Sequence, residues 1–175
     1  MDSLLRMLDD LLPRDLKVIA EGQSIEFHTT VLACRSPVFE HIFAAYPDKP
    51  IVLRLDDVEF AVLKSVSDYV YDEKIDDDYK MQCKMYAFAK KYHMEALKNE
   101  CLRLLTESVR DQNAFALAVF AYHNECDDLR LKAISILSVS NEKLSKVDGW
   151  GEFIAVRPLV DELRFAFYTT REDWR

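Results

Sequence analysis

Residues 15–39 read DLKVIAEGQSIEFHTTVLACRSPVF, from Asp15 to Phe39, and the changes of period along this stretch decide the fold. In Asp15-Leu16-Lys17-Val18-Ile19-Ala20-Glu21, the residues Leu16, Val18 and Ala20 fall on one face with the two-residue period of a strand. Gly22-Gln23-Ser24 supplies a turn and Ile25-Glu26-Phe27 alternates again, so the segment predicts a β-hairpin. After His28 the period becomes helical, from Thr29 to Arg35. Ser36-Pro37 then opens a second short helix, with serine as cap and proline at the first helical position. Val38, Phe39, Ile42 and Phe43 form its buried stripe.

Upstream, Leu4, Leu8, Leu11 and Leu12 share one face of a short helix capped by Ser3 and stopped by Pro13. So short an amphipathic helix is marginal alone, and its stripe must dock on its own domain or on a partner. Downstream, Tyr46-Pro47-Asp48-Lys49-Pro50 reads as a loop and Ile51 to Leu55 as a short strand. From Asp57 onward the pattern is helical. Its stripes are Val62, Val66, Tyr69, Val70; Met81, Met85, Phe88, Tyr92; Leu97, Cys101, Leu104, Leu105; Phe115, Ala118, Val119, Tyr122; and Leu129, Ala133, Ile136, Leu137, and Leu159, Leu163, Phe167 close the series. A small sheet crowded by helices and followed by a helical extension is an α+β plan. Polar residues interrupt the apolar pattern from Ser108 to Asn113, which places a domain boundary there.

The chain has 175 residues, half of them hydrophobic, enough for one well-packed domain or two small ones. Its three glycines, Gly22, Gly149 and Gly151, cannot build a dinucleotide fingerprint or a P-loop. A net charge of −8 repels phosphate backbones and anionic lipid, which argues against nucleic-acid and membrane partners. No apolar run is long enough for a membrane span, and the start lacks the pattern of a signal peptide. The expectation is a soluble intracellular chain, nuclear or cytoplasmic, whose four scattered cysteines are free buried thiols.

Candidate chemistry is sparse. His28, His41, His93 and His123 lie in separate elements; His123 and Cys126 are three apart, but a structural zinc would need two more ligands from afar. Ser36 is placed to cap, and Cys34 sits in an apolar stretch without a paired histidine signal. The acidic groups Asp56-Asp57, Asp76 to Asp78 and Asp127-Asp128 stand at turns and helix starts, where carboxylates complement the helix dipole. No catalytic residue, cofactor or metal is expected, and what remains is protein interaction.

On these residues the chain resembles a known family. Asp15-Leu16-Lys17-Val18, then His28-Thr29-Thr30-Val31-Leu32-Ala33-Cys34-Arg35-Ser36-Pro37-Val38-Phe39, is similar to the BTB/POZ signature. That signature is an Asp-led strand followed by His-Lys-x-x-Leu-x-x-x-Ser-x-x-Phe. Asp57-Val58 with the helix to Tyr69-Val70-Tyr71, and Ala89-Lys90-Lys91-Tyr92 before Leu97, resemble later blocks in the same order. The remainder resembles the BACK-type helices that follow BTB domains, most of all in the speckle-type POZ group, which has a Gly-Trp element like Gly149-Trp150. Only 14 residues precede Asp15, so the MATH domain of that group is expected to be absent. The resemblance implies an N-terminal dimerisation helix over 1–14, a BTB/POZ domain over 15–108 and a BACK-like extension over 109–175.

It also implies a mechanism. Domains of this type form twofold dimers through the N-terminal helix and the first helix after the hairpin. By position, Leu4, Met7 and Leu8 would meet Val31 and Leu32 of the partner, a self-complementary apolar patch of the kind a twofold interface requires. The partner is a second copy or another BTB protein. A second implied surface binds a cullin of ubiquitin ligases, with Phe43, Tyr46 and Asp48 at the place of the family's hydrophobic-x-Glu motif. Two departures stand out: Asp48 replaces Glu, and Thr29 replaces the usual Lys or Arg, so Asp15 is expected to lack a charged partner. Arg164 stands about where a tyrosine supports higher-order assembly in the speckle-type group. The expected function is a non-enzymatic, dimeric adaptor that docks a cullin-3-type ligase and contributes to substrate ubiquitination; the alternative is a scaffold that pairs with itself or other BTB proteins without a cullin.

Overall fold

A computed structural model describes residues 12–46, 48–140 and 147–172. The N-terminal helix expected over 1–14, with Leu4, Met7 and Leu8, therefore lies almost wholly outside the described residues. The chain divides into two compact units between Cys101 and Leu102.

The first unit begins with the hairpin β1 (Leu16–Ala20) and β2 (Gln23–Phe27), paired antiparallel with Leu16 opposite Phe27. The turn is tighter than the sequence suggests. Glu21 and Gly22 both have positive φ, 49° and 76°, as a two-residue hairpin turn of the right twist demands, so Gln23 and Ser24 join the strand. After His28 comes α1 (Thr29–Arg35), then α2 (Pro37–Ala44). Ser36 caps α2 by accepting from the Phe39 N–H at 3.1 Å, with Pro37 in the first turn. Strand β3 (Ile51–Arg54) pairs parallel to β1, giving the sheet order β2-β1-β3. Helices α3 (Phe60–Asp72), α4 (Tyr79–Lys91) and the first half of α5 (Glu95–Ser108) complete the unit.

One face of the sheet is apolar because the strand period is two: Leu16, Val18, Ala20 and Phe27 are each 1% exposed. Opposite them, Lys17, Glu26 and Val52 share the other face by register. The apolar side meets the helical stripes. Val62, Val66, Tyr69 and Val70 are all buried, as are Met85, Phe88 and Tyr92, while Met81 is half-buried. Phe39 stacks on Tyr92 with centroids 4.7 Å apart, and Phe88 tilts against the same ring at 4.5 Å.

Polar side chains tie the segments together where the ladder ends. Glu21, at the hairpin turn, accepts from the Phe60 N–H at 3.0 Å and so caps the start of α3. Asp15 accepts from the Thr29 N–H at 2.7 Å and from the Thr29 hydroxyl at 2.8 Å. The expectation that Asp15 lacks a cation is corrected: Lys49, from the loop before β3, pairs with its carboxylate and also donates to the Thr29 hydroxyl at 2.6 Å. A threonine at position 29 has no charge to offer, and a lysine from another segment supplies one to the same carboxylate.

Among the described residues the second unit is all-α. The latter part of α5 is followed by α6 (Ala114–Asn124), α7 (Asp127–Val139), α8 (Trp150–Ala155) and α9 (Arg157–Glu172). The polar seam at 108–113 is the turn between α5 and α6, where Asn113 accepts from the Arg110 N–H and donates to the Ser108 carbonyl. Helix α6 differs from its sequence stripe: Val119 and Tyr122 are half-buried, whereas Ala114, Leu117 and Ala121 join Phe115 and Ala118 in the interior. With so many alanines the helix is enclosed on more than one side, and a single-stripe reading underestimates its burial. In α7, Ile134 rather than Ile136 is buried beside Leu129, Ala133 and Leu137. Phe115 packs edge-on to Trp150 and Phe153. Gly149, with φ 83°, lies so close to Ala116 that an added Cβ would come within 2.5 Å of its backbone nitrogen. No other residue fits there.

Burial raises the Asp15 carboxyl, but Lys49 and the two Thr29 donors outweigh it and hold the group down at about 2. The folded value is depressed, so the stabilisation is present above the unfolded value near 4 and is lost as pH falls toward about 2. Asp15→Asn is expected to cost about 1–3 kcal/mol at pH 7. In urea titrations at stepped pH, the gap between wild type and variant should close through that window. A gap that stays constant with pH would show that Asp15 acts by shape alone.

Candidate functional site

The described residues offer no catalytic constellation. No group of three or more His, Cys, Asp or Glu among them is placed to hold a metal ion. Cys126 is buried and His123 is exposed. Cys101 is fully enclosed; burial, with the Glu100 carboxylate as a lesser cause, pushes its thiol up to about 12, so it stays protonated and inert. Cys34 is exposed on α1, beside an open recess that also takes in Arg35, Tyr69 and His93. Both nitrogens of the buried His28 ring are engaged in structural bonds, Nδ1 with the Tyr71 hydroxyl at 3.0 Å and Nε2 with the Leu12 carbonyl at 3.1 Å. Since a carbonyl only accepts, Nε2 is the donor toward Leu12. This histidine anchors the point at which the N-terminal segment joins the sheet.

What the unit does present is the region where α2 runs out. Helix α2 is held from below by Ser36, which is 1% exposed, caps the helix and donates to the Tyr92 carbonyl at the end of α4. Phe39 and Phe43 stack at 5.8 Å and face inward. With that face anchored, the opposite end projects outward: Tyr46 is 61% exposed, and Asp48 is exposed two residues later. Phe43 is only 9% exposed and acts as the floor beneath them. Tyr46 and Asp48 border a recess of about 300 Å3 whose other walls are Ile42, Pro50, Ile51, Val52 and Leu53. A second recess, of about 250 Å3, lies between α3 and α4, flanked by the ion pairs Asp57–Lys91 and Glu59–Lys84.

On α1, Val31 is half-buried, whereas Leu32 is 2% exposed and belongs to the core of its own unit. A side chain so enclosed offers no area to a second chain, while Val31 retains some. Leu12, the first described residue, is 46% exposed. Sequence reading did not find the recess beside β3 or the role of Lys49. A loop of Tyr, Pro, Asp, Lys and Pro carries no period, so nothing in it announces which side chains turn inward. The one available signal was Val52, an apolar residue on the polar face of its strand.

Comparison with known proteins matches this architecture. The family model described as BTB/POZ domain matches residues 8–109. Among curated proteins, the chain is 28% identical over 166 residues to TD and POZ domain-containing protein 2 of Mus musculus, covering 92% of this chain and 46% of that protein. It is 25% identical over 157 residues to Protein maternal effect lethal 26 of Caenorhabditis elegans, covering 87% of this chain and 40% of that protein. The chain thus spans less than half the length of these relatives. Among solved structures, the BTB domain of zebrafish PATZ1 superposes with a TM-score of 0.52 at 22% identity, covering 61% of this chain and 91% of that one. This likeness is one of fold.

Because Ser36 is buried and doubly bonded while Tyr46 is exposed, the two separate stability from surface function. Ser36→Ala is expected to lower unfolding free energy by about 1–3 kcal/mol, and Tyr46→Ala to change it by less than about 0.5 kcal/mol. Chemical denaturation of both variants checks this; a large loss with Tyr46→Ala would make that ring part of the core.

Proposed function

The chain belongs to the BTB/POZ domain family, and from that premise we propose that it is a dimeric, non-enzymatic adaptor that docks a cullin of the cullin-3 type and contributes to substrate ubiquitination. The family supplies the general part: BTB domains are protein-interaction modules. The observation that supports the finer reading is the exposure of Tyr46 and Asp48 beyond a helix whose other face is locked into the core. A large aromatic ring with its base anchored and its body in solvent is the kind of residue that carries interface energy, because little conformational entropy is lost when it is covered.

In this reading Phe43 orients the surface from beneath, Tyr46 supplies apolar contact and Asp48 supplies the carboxylate that the family's Glu would provide. The shorter Asp side chain brings that charge nearer the backbone, so Tyr46 carries the larger share. Dimerisation uses the N-terminal segment, with Leu4, Met7 and Leu8 packing on Val31 of the partner, and Leu32 acting from within as the support of Val31. The helices from 109 onward form a BACK-like extension that contributes to docking. Its partners within the family are a second copy or another BTB protein.

Two measurements test the two surfaces separately. Tyr46→Ala with Asp48→Ala should weaken binding of a purified cullin-3 N-terminal domain by at least about tenfold with the fold intact. Absence of wild-type binding in that assay removes the adaptor reading and leaves the scaffold one. Leu4→Asp with Leu8→Asp should convert the dimer to a monomer by light scattering. An undiminished dimer would put the interface elsewhere.

A further inference from the structure

Strand β3 lies at the edge of the sheet. Its Ile51 N–H bonds to the Asp15 carbonyl and the Leu55 N–H to the Ile19 carbonyl, each at 2.9 Å. Backbone groups alternate sides along a strand, so Val52 and Arg54 aim their N–H and C=O groups away from β1. Among the described residues no strand pairs on that side. Protected edges carry inward charges, bulges or a covering element. This one has Pro50 at its start, where proline is tolerated at an edge, but presents Val52 at 58% exposure.

Beside the edge lies the recess walled by Ile42, Tyr46, Ile51, Val52 and Leu53. A strand laid along β3 would send alternate side chains toward that recess. The charges at the two ends are of opposite sign and uncommitted: Asp48 precedes the strand, Arg54 ends it, both are exposed, and neither has a partner among the described residues. In a chain of net charge −8, an unpaired arginine at a strand end is a directional mark.

We infer that the outer edge of β3 is a peptide-binding site that takes an extended segment of a partner protein as an added strand. The segment is apolar at alternate positions, basic at the end that lies by Asp48 and acidic at the end that lies by Arg54. Backbone bonds to Val52 and Arg54 supply the generic affinity, the recess selects apolar side chains, and the two charges fix direction. The inference goes beyond cullin docking and does not rest on it, since Val52 and Arg54 lie outside the residues assigned to that surface. The two surfaces share Tyr46 and Asp48, so a bound peptide and a cullin would exclude one another.

The test uses the full chain and two fluorescein-labelled peptides, Lys-Thr-Val-Thr-Val-Thr-Glu and Glu-Thr-Val-Thr-Val-Thr-Lys, read by anisotropy. One polarity is expected to bind saturably and the other more weakly by about two- to fivefold, the scale of an exposed charge pair. Methylating the backbone nitrogens on one edge of the better peptide, or introducing Val52→Pro, should each weaken it about tenfold by removing strand bonds. Arg54→Glu should abolish the preference between the two peptides, and Asp48→Lys with Arg54→Glu should reverse it, a result that misfolding does not produce. Absence of saturable binding by either peptide, or an unchanged preference in Arg54→Glu, overturns the inference. So does a change in self-association with Val52→Pro or Arg54→Glu in sedimentation without peptide, which would assign the edge to a second copy.

Discussion

One carboxylate joins the pieces on which everything else is built. Asp15 stands at the start of β1, bonds the first N–H of α1 through Thr29, and meets Lys49 just before β3. These segments are distant along the chain, and the hydrophobic effect alone would bring them together without fixing their register. A charged acceptor with directional donors does fix it, at a junction that burial alone would leave adaptable. The same point also decides where α1 begins and therefore which way Val31 faces.

The sheet and the first helices were legible because their cues are local. Alternation of Leu16, Val18 and Ala20, the Ser36-Pro37 start and the four-three-four spacing of Met81, Met85, Phe88 and Tyr92 each follow from the geometry of one element. The features that escaped are those for which no local rule exists. Lys49 reaches Asp15 across 34 positions, and its identity as the replacement cation depends on a side chain missing at Thr29. The enclosure of α6 on several sides depends on what its neighbours bring, which alanine-rich periodicity does not encode. The αL residues Glu73, His93 and Glu125 close helices where glycine is the usual choice, so composition offered no stop signal.

The candidate site was legible in its residues but not in its shape. Tyr46 and Asp48 could be singled out from the sequence, yet the wall they form with Pro50, Ile51 and Leu53 exists only once β3 lies beside the end of α2. Phe27 at the end of β2 and Ile51 at the start of β3 both stand beside Leu16, on either side of β1, so the αα pair between β2 and β3 leaves and rejoins the sheet at the same end. Its last turn must finish next to the strand it feeds, so a recess at this corner is a consequence of topology rather than an accident of packing.

The same topology explains why this surface suits recognition more than chemistry. Catalysis needs groups converging on a point with shifted proton affinities inside a water-excluding site. Here the groups most strongly perturbed, Asp15 and Cys101, are spent on structure: one is held ionised by Lys49 and Thr29, the other held protonated by burial. By contrast Tyr46, Asp48 and Arg54 are exposed, with Tyr46 and Asp48 bordering the recess beside β3, where water keeps access. Dispersed charges flanking an exposed ring discriminate between partners by direction and fit, and they gain their strength only when another chain covers them and lowers the local dielectric.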